Sequence, residues 1–159
     1  MAMVESALIE DYIWDSTREA FETMIPMPVE RATEKQGDEE DSPMICTITF
    51  TGGMQGAFSV LCGRPSVEKM VRAMLMMEPD EPVEQAELHD AYGEITNILA
   101  GGFKSRMEDF APDMKISIPS VVSGKHIRLA LGDGMSRVDL NASLAGRPML
   151  VAVAYRCRN

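Results

Sequence analysis

From Val4 to Ile25 the apolar residues Val4, Leu8, Ile9, Ile13, Ala20, Phe21, Met24 and Ile25 recur at helical spacing, with acidic residues between them. An amphipathic first helix is predicted, with Trp14 and Phe21 as core anchors. Pro26 and Pro28 stop it. The stretch from Glu30 to Pro43, ERATEKQGDEEDSP, has almost no large apolar group and reads as a mobile acidic loop. The period then changes to two. Met44, Cys46, Ile48 and Phe50 alternate with Ile45, Thr47 and Thr49, Phe58, Val60 and Cys62 do the same, and TGGMQG between them supplies turn glycines, so a β-hairpin is predicted.

Pro65 and Ser66 open a second helical pattern, in which Val67, Met70, Val71, Met74 and Leu75 repeat at three and four. Met74, Met76 and Met77 are read as core packing rather than as a binding surface. A third helix is expected from about Val83 to Glu108, weakened at Gly101 and Gly102. The last third alternates in strand fashion: Ile116 and Ile118 up to Pro119, then Ile127, Leu129 and Leu131, then Val138 to Leu144, then PMLVAVAYR, with turn glycines at 124, 132, 134 and 146. Helices grouped before hairpin-linked strands predict an α+β fold, an antiparallel or mixed sheet of about six strands with helices on one face.

At 159 residues the chain is expected to be one domain, because the segment before the acidic loop is too short for a core of its own. The net charge of −10 and a pI near 4.6 speak against nucleic acid and anionic membrane as partners, since both are bound through clustered Lys and Arg. No export signal or membrane span is evident, so a cytoplasmic protein is expected. Cys46, Cys62 and Cys157 are read as buried thiols, and no Cys/His spacing makes a metal site. TGGMQG lacks the Lys-Ser/Thr of a phosphate-binding loop, GKH lacks the Ser/Thr after lysine, and no G-x-S-x-G is present.

The third helix carries the chemistry. In HDAYGEITNILAGGF, Leu88, Ala91, Ile95, Ile98 and Leu99 mark an apolar stripe, with Glu87, Asp90, Glu94 and Asn97 opposite. An interior glycine costs a helix roughly 1 kcal/mol relative to alanine, and this one holds Gly93, Gly101 and Gly102. Asn is also a poor mid-helix residue, because its amide competes for backbone groups. A bland reading has Gly102 letting the helix lie close on the sheet and the acidic stripe merely solvated. The sharper one has small residues at 93, 100 and 101 clearing space around Asn97 for another protein's surface. Glu87, Asp90 and Glu94 as metal ligands are a weaker alternative.

The run Asp90-x-x-x-Glu94-x-x-Asn97, followed by ILAGGF and then by IPSVVSG with Pro119, resembles the CheX/CheC/FliY family of chemotaxis phosphatases. FETM in the first helix, the glycine-turned hairpin and RPSVEKMVRAML extend the resemblance over most of the chain. A single Glu-x-x-Asn helix is similar to CheX, since CheC and FliY have two. The Asn-to-Pro spacing is a residue shorter than is usual in the family. The resemblance implies hydrolysis of the aspartyl phosphate of a CheY-like receiver, with Asn97 orienting the attacking water and Glu94 docking to a receiver lysine. Asp90, Gly93 and Gly101 would touch the partner. It implies no cofactor of this chain's own, Mg²⁺ held by the receiver, and a homodimer through a sheet edge. The competing expectation is a receiver-binding or flagellar-switch module of the same fold that hydrolyses nothing.

Overall fold

A computed structural model describes residues 4–33, 42–125, 127, 129 and 132–158. The chain runs α1 (Ser6–Thr23), β1 (Glu30–Arg31), β2 (Pro43–Thr51), β3 (Met54–Gly63), α2 (Arg64–Met74), α3 (Gln85–Arg106), β4 (Lys115–Ile116), β5 (Ser120–Ser123), β6 (Ser136–Leu144) and β7 (Arg147–Cys157). The seven strands form one antiparallel sheet of order β1-β6-β7-β3-β2-β4, with β5 also on β2. Its two hairpins follow from local chemistry. Gly52, at φ 124°, turns β2 into β3, and Ala145 and Gly146, at φ 50° and 81°, form the two-residue left-handed turn that matches the twist of β6 and β7.

Alternation decides which face is covered. Met44, Cys46, Ile48 and Phe50 of β2, Phe58, Val60 and Cys62 of β3, Val138, Leu140, Ala142 and Leu144 of β6, and Met149, Val151 and Val153 of β7 are all buried in one core. The helices supply the other half of it. α1 packs on β6, α3 packs on β2, β3 and β5, and α2 packs on α3, β2 and β3. The α+β architecture with helices on one face is thus the expected one, with seven strands for the predicted six.

The expected strand at KISIPSVVSG is present as two, β4 and β5, and β1 was not expected at all. Glu30 and Arg31, at the start of the predicted acidic loop, pair with Ser143 and Ala142, and Arg31 bonds Glu10 at 2.6 Å and Asp11 at 3.1 Å on α1. Residues 34–41 of that loop lie outside the described residues, as do 126, 128, 130 and 131 of the strand expected at HIRLAL; Ile127 and Leu129 are not in a strand.

Two further expectations are corrected. Met76 is 90% exposed at φ 56°, because α2 ends at Met74 and the chain leaves the core in a left-handed turn. Cys157 is exposed at the far end of β7, whereas Cys46 and Cys62 are buried under α3. Burial raises the Cys46 thiol pKa, opposed by its hydrogen bond with Thr96.

Candidate functional site

The site is built on α3, and its first requirement is that this helix be fixed. Leu88, Ala91, Tyr92, Ile95, Thr96, Leu99, Ala100 and Phe103 are its buried side, a wider set than the apolar stripe read from sequence. Tyr92, which that reading passed over, is fully buried, and its hydroxyl lies 3.0 Å from Met44 O and 2.9 Å from Val60 O. These two carbonyls belong to the adjacent strands β2 and β3, so the phenol pins the helix to that hairpin. Desolvation lifts the Tyr92 pKa well above the ordinary tyrosine value, with Cys62 adding to it.

About two turns on, Ser16 of α1 donates to Leu99 O at 2.7 Å, a buried bond between helices. A methyl group on Gly102 would overlap Ser16 Oγ and come within 3.2 Å of Ser16 Cβ. Gly102 therefore lets α3 lie close on α1, not on the sheet as the bland reading had it. Arg106 adds a bond to Gly102 O at 3.1 Å and an ion pair with Glu19 at 2.5 Å. With these supports α3 runs unbroken through Gly101 and Gly102, where weakening was expected.

On the outward side Asp90, Gly93, Glu94, Asn97 and Gly101 fall at i, i+3, i+4, i+7 and i+11, which places them along one helical face. Asp90 and Glu94 are exposed and Asn97 is half-buried. No described residue holds the Glu94 or Asn97 side chain by a hydrogen bond or ion pair. A methyl on Gly101 would meet nothing within 4 Å, so one turn beyond Asn97 the face is open.

Gly93 is different. It is buried, because Pro119 sits over it: a methyl there would be 3.0 Å from Pro119 Cγ and 3.4 Å from its Cβ. Ala100 is turned into the core, 2% exposed. Of the three small residues expected to clear space around Asn97, only Gly101 does. Glu87 shares the acidic stripe and is exposed, but among the described residues no group of three His, Cys, Asp or Glu converges as a metal site. A half-buried carboxamide beside an exposed carboxylate, both unpaired among the described residues and both on a braced helix, offers one amide acceptor, two amide donors and one anionic acceptor to an incoming surface.

The sequence pattern of the family described as "Chemotaxis phosphatase CheX" matches residues 44–141, well over half of the chain. The chain belongs to the CheX family of chemotaxis phosphatases. Solved structures agree in fold. CheX from Vibrio vulnificus is 21% identical with a TM-score of 0.78, the match covering 97% of this chain and 100% of that one. CheX in the CheX-CheY-BeF₃-Mg²⁺ complex from Borrelia burgdorferi is 14% identical with a TM-score of 0.75, covering 92% and 96%. Thermotoga maritima FliY is 12% identical with a TM-score of 0.65, covering 99% and 92%. No curated protein sequence gives a significant match.

Proposed function

We propose that this protein hydrolyses the aspartyl phosphate of a CheY-like receiver domain, completing an active site whose other half belongs to the receiver. The observation that carries the reading is the face of α3, where Glu94 and Asn97 stand one turn apart, unengaged by any described residue, on a helix fixed at Tyr92 and at Ser16. The family's description as a phosphatase supports the reaction class, and a relative solved with CheY supports the partner.

An acyl phosphate is a reactive bond, so acceleration comes chiefly from placing a water in line with phosphorus. The Asn97 amide oxygen accepts a hydrogen bond from that water and its NH₂ donates to the phosphoryl group. Being neutral, it does not repel the anion as a carboxylate would. The water oxygen forms the new bond to phosphorus and the bond to the receiver's aspartate breaks, leaving carboxylate and inorganic phosphate. Glu94 bonds a receiver lysine by a charge-assisted hydrogen bond, which sets the depth of insertion, and Asp90, a turn back, extends the acidic contact. Mg²⁺ belongs to the receiver in this reading and neutralises phosphoryl charge there; no described residue cluster of this chain is suited to hold it.

A homodimer through a sheet edge is part of the same proposal. It is supported by β6, whose outer side from Ser136 to Leu140 is paired with no described strand, β1 covering only Ala142 and Ser143.

The test is phosphate release from a phosphorylated receiver. Asn97→Ala and Asn97→Asp are expected to lower kcat at least about a hundredfold, the scale of a lost positioning group, while Asn97→Ala binds a beryllofluoride-loaded receiver within about threefold of wild type. Glu94→Ala is expected to weaken that binding about tenfold or more. Full activity in Asn97→Ala refutes the mechanism. Receiver binding without accelerated phosphate release by the wild type refutes the enzyme and leaves the binding module.

A further inference from the structure

By alternation Ile118 belongs in the core, since Ile116 two residues earlier pairs with buried Phe50. It is instead 86% exposed. The register explains why. Phe50 pairs with Ile116 and Thr47 pairs with Ser120, so Ser117, Ile118 and Pro119 face only Ile48 and Thr49. β4 and β5 are one strand interrupted by a bulge with an extra residue, a device that re-aims a side chain.

The bulge is tied on both sides. The Ser117 N–H donates to Thr49 O at 2.8 Å, the Thr49 N–H donates to Ser117 Oγ at 3.0 Å, and Ser117 Oγ donates in turn to Ile118 O at 3.0 Å. On the other side Pro119 rests on Gly93 of α3. The hydroxyl thus replaces a missing ladder carbonyl, and no loose loop is needed to account for the exposure. A large aliphatic group is held in solvent beside the helix position next to Glu94.

We propose that Ile118, with Pro119 behind it, is the apolar flank of the receiver-docking face and packs on an aliphatic patch bordering the receiver's phosphorylation site. The inference rests on the function proposed above and adds to it a contact outside α3. Continuity fixes the occupant, because Pro119 covers Gly93, which shares the helical face of Glu94 and Asn97. A surface that brings a phosphoryl group to Asn97 along this face reaches the segment that carries Ile118. The arrangement, an apolar contact beside a charged one, is that of an interface anchor with polar neighbours.

The experiment measures binding of a beryllofluoride- and Mg²⁺-loaded CheY-like receiver, and the kinetics of phosphate release, for Ile118→Ser, Ile118→Glu and Ile118→Val. Expected are a roughly tenfold loss of affinity for Ile118→Ser, the low end of what burying an aliphatic side chain contributes, and a larger loss for Ile118→Glu. KM is expected to rise by the same factor with kcat changed less than about threefold, Ile118→Val to bind within about threefold of wild type, and urea midpoints to be unmoved. Met24→Ser, an apolar truncation at a residue 52% exposed and beyond the level of the Glu19–Arg106 pair, serves as control and is expected to change nothing. Affinity within twofold of wild type for both Ile118→Ser and Ile118→Glu, with Glu94→Ala still impaired, overturns this inference alone. A fall in affinity matched by a fall in stability overturns it too. Full activity in Asn97→Ala overturns the underlying mechanism whatever Ile118 does.

Discussion

The three glycines of α3 are expected to respond to alanine in three different ways, and the differences can be worked from what each methyl would touch. Gly101→Ala meets open space, so the helix gains the propensity difference of about 0.5–1 kcal/mol. For a chain of this size that is roughly a 1–4 °C rise in Tm. Gly102→Ala gains the same backbone term and loses more. Its methyl overlaps Ser16 Oγ, and a rotated hydroxyl would give up the buried 2.7 Å bond to Leu99 O while Ser16 Cβ stays at 3.2 Å. Overpacking costs about 1–3 kcal/mol and a stranded polar group about 1–3 more, so after the backbone gain the net loss is about 1–5 kcal/mol. Gly93→Ala falls between, because Pro119 must shift by a few tenths of an ångström.

Urea unfolding followed by far-ultraviolet circular dichroism reads all three, and the double variant Ser16→Ala with Gly102→Ala tests the cause. Removing Oγ relieves the overlap, so the pair should be less destabilising than the sum of the singles by about 1 kcal/mol or more. A Gly102→Ala protein as stable as wild type, or strict additivity in the double variant, would refute the close approach of α1 and α3. The functional reading adds an opposite sign at Gly101. The alanine that stabilises the helix puts a methyl on the docking face, and receiver affinity is expected to fall as Tm rises.

Two other expectations concern charge. Tyr92 stays neutral in the folded protein above the pH at which the unfolded chain ionises it, so its contribution is complete below pH ~10 and is lost as pH rises from there towards its raised native value. Stability measured from pH 8 to 11 should fall more steeply in wild type than in Tyr92→Phe, by up to about 1.4 kcal/mol per pH unit above pH 10, and parallel curves would refute the buried phenol. Glu87, Asp90 and Glu94 are exposed along one stripe on a chain of net charge −10, so docking through a receiver lysine should be steered. The association rate is expected to fall about tenfold between 50 and 500 mM salt, and a rate that is flat or rises with salt contradicts that contact.

The architecture was readable because its two periods are clean. β2, β3, β6 and β7 run over nine to eleven residues each; in β6 the buried set is the one alternation names, and in β2, β3 and β7 it is that set with added neighbours such as Ile45, Ser59 and Ala152. The stripe of Asp90, Glu94 and Asn97 was equally plain, since helical spacing alone puts them on one face. What escaped were features decided by pairing across the fold. β1 is two residues in a polar run and exists because β6 offers it an edge and α1 offers Arg31 two carboxylates. Tyr92 belonged to neither stripe, and only the two strand carbonyls its hydroxyl reaches reveal its role. Ile118 kept the alternating pattern and left the core, because one extra residue against β2 is invisible until the register is known. Pro119 was flagged by resemblance alone; its packing on Gly93 gives that position a physical reason.

The bracing of α3 bears directly on the proposed chemistry. The Asn97 amide stands about 6 Å from the helix axis, the Cα radius of about 2.3 Å plus the reach of the side chain. A roll of only 10° would then carry the amide sideways by about 1 Å, and a misplacement of that size costs an aligned reaction about a hundredfold. An amphipathic helix lying on a greasy sheet face has no strong preference among rolls of this size, because hydrophobic burial is non-directional. Directional groups must set it. Tyr92 bonds two strands five residues before Asn97, and Leu99 O receives Ser16 two residues after it, so the turn that carries Asn97 is held on both sides by hydrogen bonds that a rolled helix would break. Tyr92→Phe keeps the apolar volume and removes one of the two stops. At saturating receiver and at a temperature where the variant is fully folded, it is expected to lower kcat more than it raises KM. Equal kcat in a variant measurably less stable would mean that packing alone sets the roll of α3.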